Sequence, residues 1–181
     1  VGVLAGGTGL ALQLGHRISK DLDFFRGSPF APAELAAGLA GLGRVLVQGR
    51  SAGTLHVTLD GLRVSFLAAE APLLFAGAPY RGLTLADPRD IAVMKVIAIG
   101  GRGSRKDFVD LYFYLRGGGS LEGIFALIHR RFAGVDYNAY HLLRSLVFFE
   151  DAETEPMPRM TRRATWSEIK SAIVAEVKRL A

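Results

Sequence analysis

The sequence predicts an α/β fold, with a small mixed sheet over residues 1–85 and a helical lobe over 86–181. Three observations predict it. From Val1 to about Ala69, short apolar or alternating runs are interleaved with turn residues, which is the pattern of short strands and helices sharing one sheet. Asp60-Gly61 separates two alternating runs and is a strong two-residue hairpin signal. Beyond Pro72, Pro79 and Pro88 the runs lengthen, take a helical period and are punctuated by glycine.

Each element has its own warrant. Val1–Ala5 is an apolar run stopped by Gly6-Gly7, and reads as a buried strand entering a turn. Thr8 is expected to cap a helix reaching Leu14. Lys20–Phe25 alternates Asp21, Leu22, Asp23, Phe24 and fits a strand with both carboxylates on one face. Pro29–Leu42 is rich in Ala and Leu, with Pro32 near its start, and reads as a helix. Arg44–Gln48, Thr54–Leu59 and Leu62–Leu67 are strands, the last two joined by Asp60-Gly61. Asp87 as N-cap, Pro88 in the first turn and Asp90 behind it open a helix running to Ile99. Gly100, Gly101 and Gly103 end it, and Ser104–Leu115 follows, stopped by Gly117-Gly118-Gly119. Leu121–Phe132, Tyr137–Phe149 and Trp166–Leu180 complete the helical half, with Glu150–Arg163 a polar loop, acidic first and basic after.

Composition narrows the function. The absence of cysteine among 181 residues excludes a disulfide scaffold and a zinc–thiolate site, and suits a reducing cytoplasm. No apolar run reaches the roughly 18 residues of a membrane span. The opening Val1–Leu14 lacks the basic segment of a secretion signal, and a first residue of Val suggests a trimmed product. The net charge of +5, with arginine far outnumbering lysine, favours polyanionic partners such as nucleotides or RNA. Arg159, Arg162 and Arg163, with His129, Arg130 and Arg131, are candidates to track an RNA backbone; a solvated surface is the alternative.

The chemistry concentrates in Gly6-Gly7-Thr8 and His16-Arg17-Ile18-Ser19-Lys20-Asp21-Leu22-Asp23-Phe24. Glycine lets backbone N–H groups approach phosphate oxygens, and a helix N-terminus adds a favourable dipole. Asp21 and Asp23, two apart on a strand, present convergent carboxylates that can hold Mg²⁺, which in turn bridges nucleotide phosphates. The same glycines also fit an ordinary strand-to-helix turn, and the same acids a solvated strand end. Arg17 is a candidate phosphate ligand, because a guanidinium fork matches phosphate. Ser19 is a candidate to bond phosphate or to orient Asp21. His16 reads as a helix-end residue rather than a base. Lys95 falls in an apolar helix between Met94 and Val96, where a buried ammonium needs a partner or a ligand.

These blocks resemble the nucleotidyltransferase fold of DNA polymerase β type and, within it, the AbiEii/AbiGii toxin family of abortive-infection and toxin–antitoxin systems. The resemblance lies in Leu4-Ala5-Gly6-Gly7-Thr8-Gly9-Leu10, His16 to Phe25, Asp90 to Lys95, Ile97 to Arg102, Arg105-Lys106-Asp107-Phe108-Val109-Asp110-Leu111, Asp151–Pro158 and Trp166–Lys170. It covers most of the chain and implies an Mg²⁺-dependent transfer of NMP from an NTP to an acceptor. For toxin members the acceptor class is RNA, including tRNA ends, and a cognate antitoxin protein is an expected partner. It also implies that Lys95 neutralises NTP phosphates, and that Arg102, Lys106, Asp107 and Asp110 belong to the substrate site. Lys106 and Asp110 are four apart on a helix and able to pair, and Asp107 or Asp110 can instead orient Lys95 or Lys106. The cleft is expected between the two halves, with Asp21 and Asp23 on one wall and Lys95 on the other.

One departure stands out. Many enzymes of this fold carry a third carboxylate on a later strand, and Leu62–Leu67 is the natural place for it. There Ser65 stands where an acid is expected, Asp60 lies in the turn and Glu70 past the strand end. The acceptor hydroxyl is left without an obvious base. Two alternatives therefore stand beside the transferase: a catalytically degenerate nucleotide-binding protein acting through a protein partner, and a partner-binding module acting through its helical lobe.

Overall fold

The computed structural model describes residues 2–69, 71–135 and 137–180, and Val1 lies outside them. The chain runs β1 (Val3–Leu4), α1 (Gly6–Leu14), β2 (Leu22–Arg26), α2 (Pro32–Leu39), β3 (Val45–Ser51), β4 (Thr54–Leu59), β5 (Leu62–Ala68), β6 (Ala78–Tyr80) and β7 (Leu83–Leu85). It continues with α3 (Pro88–Arg102), α4 (Arg105–Arg116), α5 (Leu121–Arg131), α6 (Ala139–Leu146), α7 (Glu150–Glu153) and α8 (Trp166–Leu180). All strands join one seven-stranded mixed sheet in the order β3-β4-β5-β2-β1-β7-β6. β2 is parallel to β5, β1 is parallel to β7, and the other neighbours are antiparallel.

The hairpin between β4 and β5 turns on Asp60 and Gly61, both at positive φ (48° and 84°), the backbone that a two-residue primed turn requires. The stretch punctuated by Pro72, Pro79 and Pro88 holds a second hairpin that the pattern did not announce. β6 and β7 are joined by Arg81 and Gly82, again both at positive φ. Their three-residue strands are too short to display an alternation.

Alternation gives the sheet two different faces. Phe24, Leu55, Val57, Val64 and Phe66 form one, and Leu35, Ala36 and Leu39 of α2 pack against it. The other face carries Asp23, Phe25, Arg63, Ser65 and Leu67 and looks toward the helical half. There α3 and α4 run through a core built from Val93, Val96, Phe108, Leu111, Ile124 and Ile169. Ala5, Leu10, Ala86 and Ile91 form a smaller buried cluster where α1 and α3 meet the sheet.

α3 opens as its sequence implies: the Asp87 side chain accepts from the Arg89 N–H at 2.9 Å, Pro88 follows it, and Gly103 ends the helix in the left-handed region. Several boundaries differ from expectation. Pro29–Leu42 narrows to Pro32–Leu39, and Tyr137–Phe149 to Ala139–Leu146, capped by the Asn138 side chain on the His141 N–H. The polar loop after Phe149 begins with one short helix, α7. Among the described residues, no helix is long and apolar enough to cross a membrane.

Candidate functional site

A cleft of about 730 Å³ opens between the polar face of the sheet and the helices, within the usual size range of small-molecule sites. Its sheet wall carries Asp21, Asp23, Arg63 and Ser65, and its helical wall carries Lys95, Arg102, Lys106 and Asp107. Gly6, Gly7, Arg17 and Ser19 close one end, and Pro158 and Arg159 contribute from the polar loop. Basic side chains outnumber acidic ones seven to three around this lining, so the cleft attracts anions overall. The acids are therefore local exceptions. A second hollow of about 570 Å³, lined by Tyr140, Arg144 and Phe148 beside α6, contains none of these groups.

β2 ends its chain entry at Asp21 and Asp23, which the period of two puts on the same face. Asp23 rests against the start of α1. A Cβ on Gly6 would lie 2.6 Å from Asp23 Oδ2, and Gly6 sits at φ +59°. Glycine is needed there twice over, for the backbone conformation and for the carboxylate's space. Gly7 is equally crowded: a Cβ on it would run into the Arg17 guanidinium. Gly6 and Gly7 line the cleft, and the first-turn N–H groups of α1 have no intrahelical acceptor of their own.

Asp21 is approached by Arg63 Nε at 2.8 Å, from a guanidinium that is 73% exposed. The same Asp21 oxygen, Oδ1, is buried without a well-formed hydrogen bond. A hard oxygen donor in that state, beside a second carboxylate, suits a divalent cation. Among the described residues no group of three or more His, Cys, Asp or Glu side chains converges on one point. Asp21 and Asp23 alone are a donor set of the size that Mg²⁺ commonly uses together with substrate phosphates and water.

The helical wall is built on a buried charge cluster. Asp110 accepts from Arg17 Nε at 2.6 Å and Arg17 Nη2 at 2.8 Å, and pairs with His16 Nε2 at 2.8 Å. Lys95 Nζ lies 2.6 Å from Asp107 Oδ1 and 2.7 Å from Asp110 Oδ2. Burial alone would push the Asp110 carboxyl up, but the hydrogen bonds from Arg17 and His16 and the charge of Lys95 outweigh it and hold it far below its ordinary range. Burial likewise would lower Lys95, but the charges of Asp110 and Asp107 and their hydrogen bonds win and raise it. Arg17 is raised on the same balance, with Asp110 prevailing over burial. Asp110, Lys95 and Arg17 are therefore ionised throughout the neutral range. Asp107 Oδ2 is buried with no hydrogen bond, and the exposed Arg102 stands 3.6 Å from it.

Several sequence readings change here. Thr8 is no N-cap: α1 begins at Gly6, and the Thr8 hydroxyl donates to the Asp21 carbonyl, which fixes the start of β2. Asp110, expected in the substrate site, is buried and absent from the cleft lining. It turns to Arg17, His16 and Lys95, not to Lys106. Arg17 lines the cleft but spends its fork on Asp110. Arg131 is buried, 3.6 Å from Asp90, and donates to the Ala71 carbonyl, so it is withdrawn from any RNA-binding surface. Glu70 lies outside the described residues. His56 was not singled out by sequence; it lines the cleft on β4, and its Nδ1 is 3.1 Å from Ser65 Oγ. Only its odd position on an alternating strand could have flagged it.

The polar loop acts as a strap. Ile18 N–H donates to the Arg159 carbonyl at 2.8 Å, and Thr161 and Arg162 N–H groups donate to the His16 carbonyl at 3.0 and 3.1 Å. Glu155 accepts from Ser104 Oγ at 2.9 Å and from the Arg105 N–H at 2.8 Å, capping α4 from outside.

A family model described as the nucleotidyl transferase AbiEii toxin of type IV toxin–antitoxin systems matches residues 3–179. An uncharacterized protein of Aquifex aeolicus (strain VF5) is 36% identical over 180 residues, 97% of this chain and 85% of that protein. Among solved structures, a putative nucleotidyltransferase from H. pylori superposes with a TM-score of 0.57 at 14% identity, covering 98% of this chain and 85% of that one. MenT4, a nucleotidyltransferase toxin from Mycobacterium tuberculosis H37Rv, gives a TM-score of 0.57 at 18% identity, over 97% of this chain and 73% of that one. At these identities the two structures speak for the fold alone.

Proposed function

The chain belongs to the AbiEii nucleotidyltransferase toxin family of type IV toxin–antitoxin systems, and from that premise we propose that it transfers NMP from an NTP to the hydroxyl of an RNA acceptor, tRNA foremost. The observation that carries this reading is the pairing of Asp21 and Asp23, beside the α1 N-terminus, with a lining otherwise dominated by basic side chains. Asp21 and Asp23 would hold Mg²⁺, which would neutralise triphosphate charge and polarise the α-phosphate. The N–H groups of Gly6 and Gly7 take phosphate oxygens at the helix start. Arg102 and Lys106, exposed on the helical wall, take the remaining phosphate charge together with Arg159. Lys95 keeps its charge in the wall and holds Asp107 there. Ser19 lies against Gly7 and orients the approach to Asp21. The acceptor oxygen attacks the α-phosphorus, and pyrophosphate leaves. Catalysis of this kind rests on positioning and charge neutralisation.

The division into a transferase core over 1–85 and a helical lobe over 86–181, a cytoplasmic setting and an antitoxin partner complete the proposal. The test is transfer of label from each α-labelled NTP with Mg²⁺, with and without total tRNA, beside an Asp21→Ala/Asp23→Ala variant. Label entering RNA only with the aspartates intact is the expected result. Nucleotide binding that the double variant loses, with no transfer by either protein, would replace the transferase by a degenerate nucleotide-binding protein; Ser65 at the place of an acid favours that second reading.

A further inference from the structure

The transferase reading leaves the proton of the attacking hydroxyl unassigned, and the sheet supplies a group for it. Register puts Ser65 of β5 directly beside Asp23 of β2, and His56 of β4 directly opposite Ser65. Asp23, Ser65 and His56 thus form one row across the polar face, with strands spaced about 4.8 Å apart. His56 Nδ1 and Ser65 Oγ are 3.1 Å apart, and both side chains line the cleft. β3 presents Gly49 opposite His56.

Resting on the transferase reading, we propose that His56, oriented by Ser65, is the general base that accepts the acceptor-hydroxyl proton in place of a third carboxylate. Asp21 and Asp23 are the cation ligands of the proposed function, and Asp107 stands on the opposite wall, with one oxygen on Lys95 and the other 3.6 Å from Arg102. The tautomer that donates Nδ1–H to Ser65 Oγ leaves the Nε2 lone pair free to accept a proton. In the step, the hydroxyl proton passes to Nε2, the oxygen forms its bond to the α-phosphorus, and the bond from that phosphorus to the bridging oxygen breaks, its electron pair leaving with pyrophosphate. The charged groups that share the cleft with the ring are Lys20, Asp21, Asp23 and Arg63 on the sheet side, Arg17 at its end, Lys95, Arg102, Lys106 and Asp107 on the helical wall, and Arg159 from the strap.

The test is single-turnover transfer from pH 5 to 9 in wild type, His56→Gln, Ser65→Ala and His56→Gln/Ser65→Asp, with NTP binding and thermal melting measured on each. The wild-type rate is expected to rise with pH through one inflection and then level. His56→Gln is expected to bind NTP within about threefold of wild type, to transfer about 10²–10⁴-fold more slowly and to lose the inflection. Ser65→Ala is expected to lose about tenfold and keep it. The double variant is expected to recover part of the rate, with the inflection moved into the carboxylate range. Ring-nitrogen NMR gives a readout independent of turnover: an Nδ1-protonated neutral ring for His56 in wild type, lost in Ser65→Ala. A His56→Gln enzyme with the wild-type rate, or a slower one that keeps the wild-type inflection, overturns the assignment, as does a neutral ring protonated on Nε2. A wild-type protein that binds NTP and transfers nothing overturns the parent reading instead.

Discussion

Gly6→Ala tests whether the place of Asp23 is set by α1. The alanine must hold φ near +59°, where an L-residue costs about 1–2 kcal/mol. Its Cβ would also lie 2.6 Å from Asp23 Oδ2, and ordinary contact begins at 3.4 Å, so the carboxylate must retreat by roughly 0.8 Å. The backbone cost lowers the melting temperature by roughly 2–8 °C for a chain of this size. The displacement acts on rate, because misplacing a positioned group by about 1 Å costs on the order of 10²-fold. Gly15 separates the two effects. It has the same φ of +59°, and nothing lies within 4 Å of the Cβ it would gain. Gly6→Ala and Gly15→Ala are therefore expected to melt alike, a few degrees below wild type, while only Gly6→Ala loses about 10²-fold in single-turnover transfer from an α-labelled NTP. Equal transfer by the two variants would refute the reasoning, since Asp23 would then tolerate a displacement that the geometry says it cannot.

Two further variants probe the charges. Arg63→Ala releases Asp21 from an exposed ion pair of a kind worth at most about 1 kcal/mol, so calorimetric titration with Mn²⁺ alone should show binding tighter by up to about fivefold. Unchanged or weaker binding would mean that Arg63 does not compete for that carboxylate. Asp110→Asn leaves Arg17 and Lys95 buried and underpaired, and urea denaturation should show a loss of about 3–5 kcal/mol; a loss below about 1 kcal/mol would show that the cluster relaxes. The pH sign follows from the same cluster. Asp110 is held below its ordinary 3.8, so its stabilisation is complete above that value and drains away as pH falls through the lower folded one. Lys95 is held above its ordinary 10.5, so its share is complete below 10.5 and lost only as pH rises through the higher folded value. Melting curves should therefore show an acid limb in wild type that is shallower in Asp110→Asn.

What the sequence disclosed of the fold follows the range of the forces involved. α3 was legible because Asp87, Pro88 and Gly103 act on their own neighbours, and the β4–β5 hairpin because Asp60-Gly61 needs only its own two positive φ values. The β6–β7 hairpin has the same turn chemistry in Arg81-Gly82, yet its flanking strands are three residues long and show no period to anchor it. The start of α1 was misplaced at Thr8, since a threonine after glycines looks like a cap. Its hydroxyl is drawn instead to the Asp21 carbonyl, thirteen residues on, by packing that no local rule contains.

The site divides along the same line. Asp21 and Asp23 share a face because strands have a period of two, and that is readable from two letters. The bond from Arg17 to Asp110 spans 93 residues, and nothing near either residue announces the other. A lysine among apolar neighbours, as at Lys95, signals that a partner exists without naming it. The structure gives Lys95 two acids and gives Arg17 the second of them, which leaves the buried cluster close to neutral. Charge that is already paired in the wall attracts a triphosphate weakly. Under the proposed function the positive charge open to it stands on the exposed Lys20, Arg102, Lys106 and Arg159, while the buried cluster ties the segment after α1 to α3 and α4.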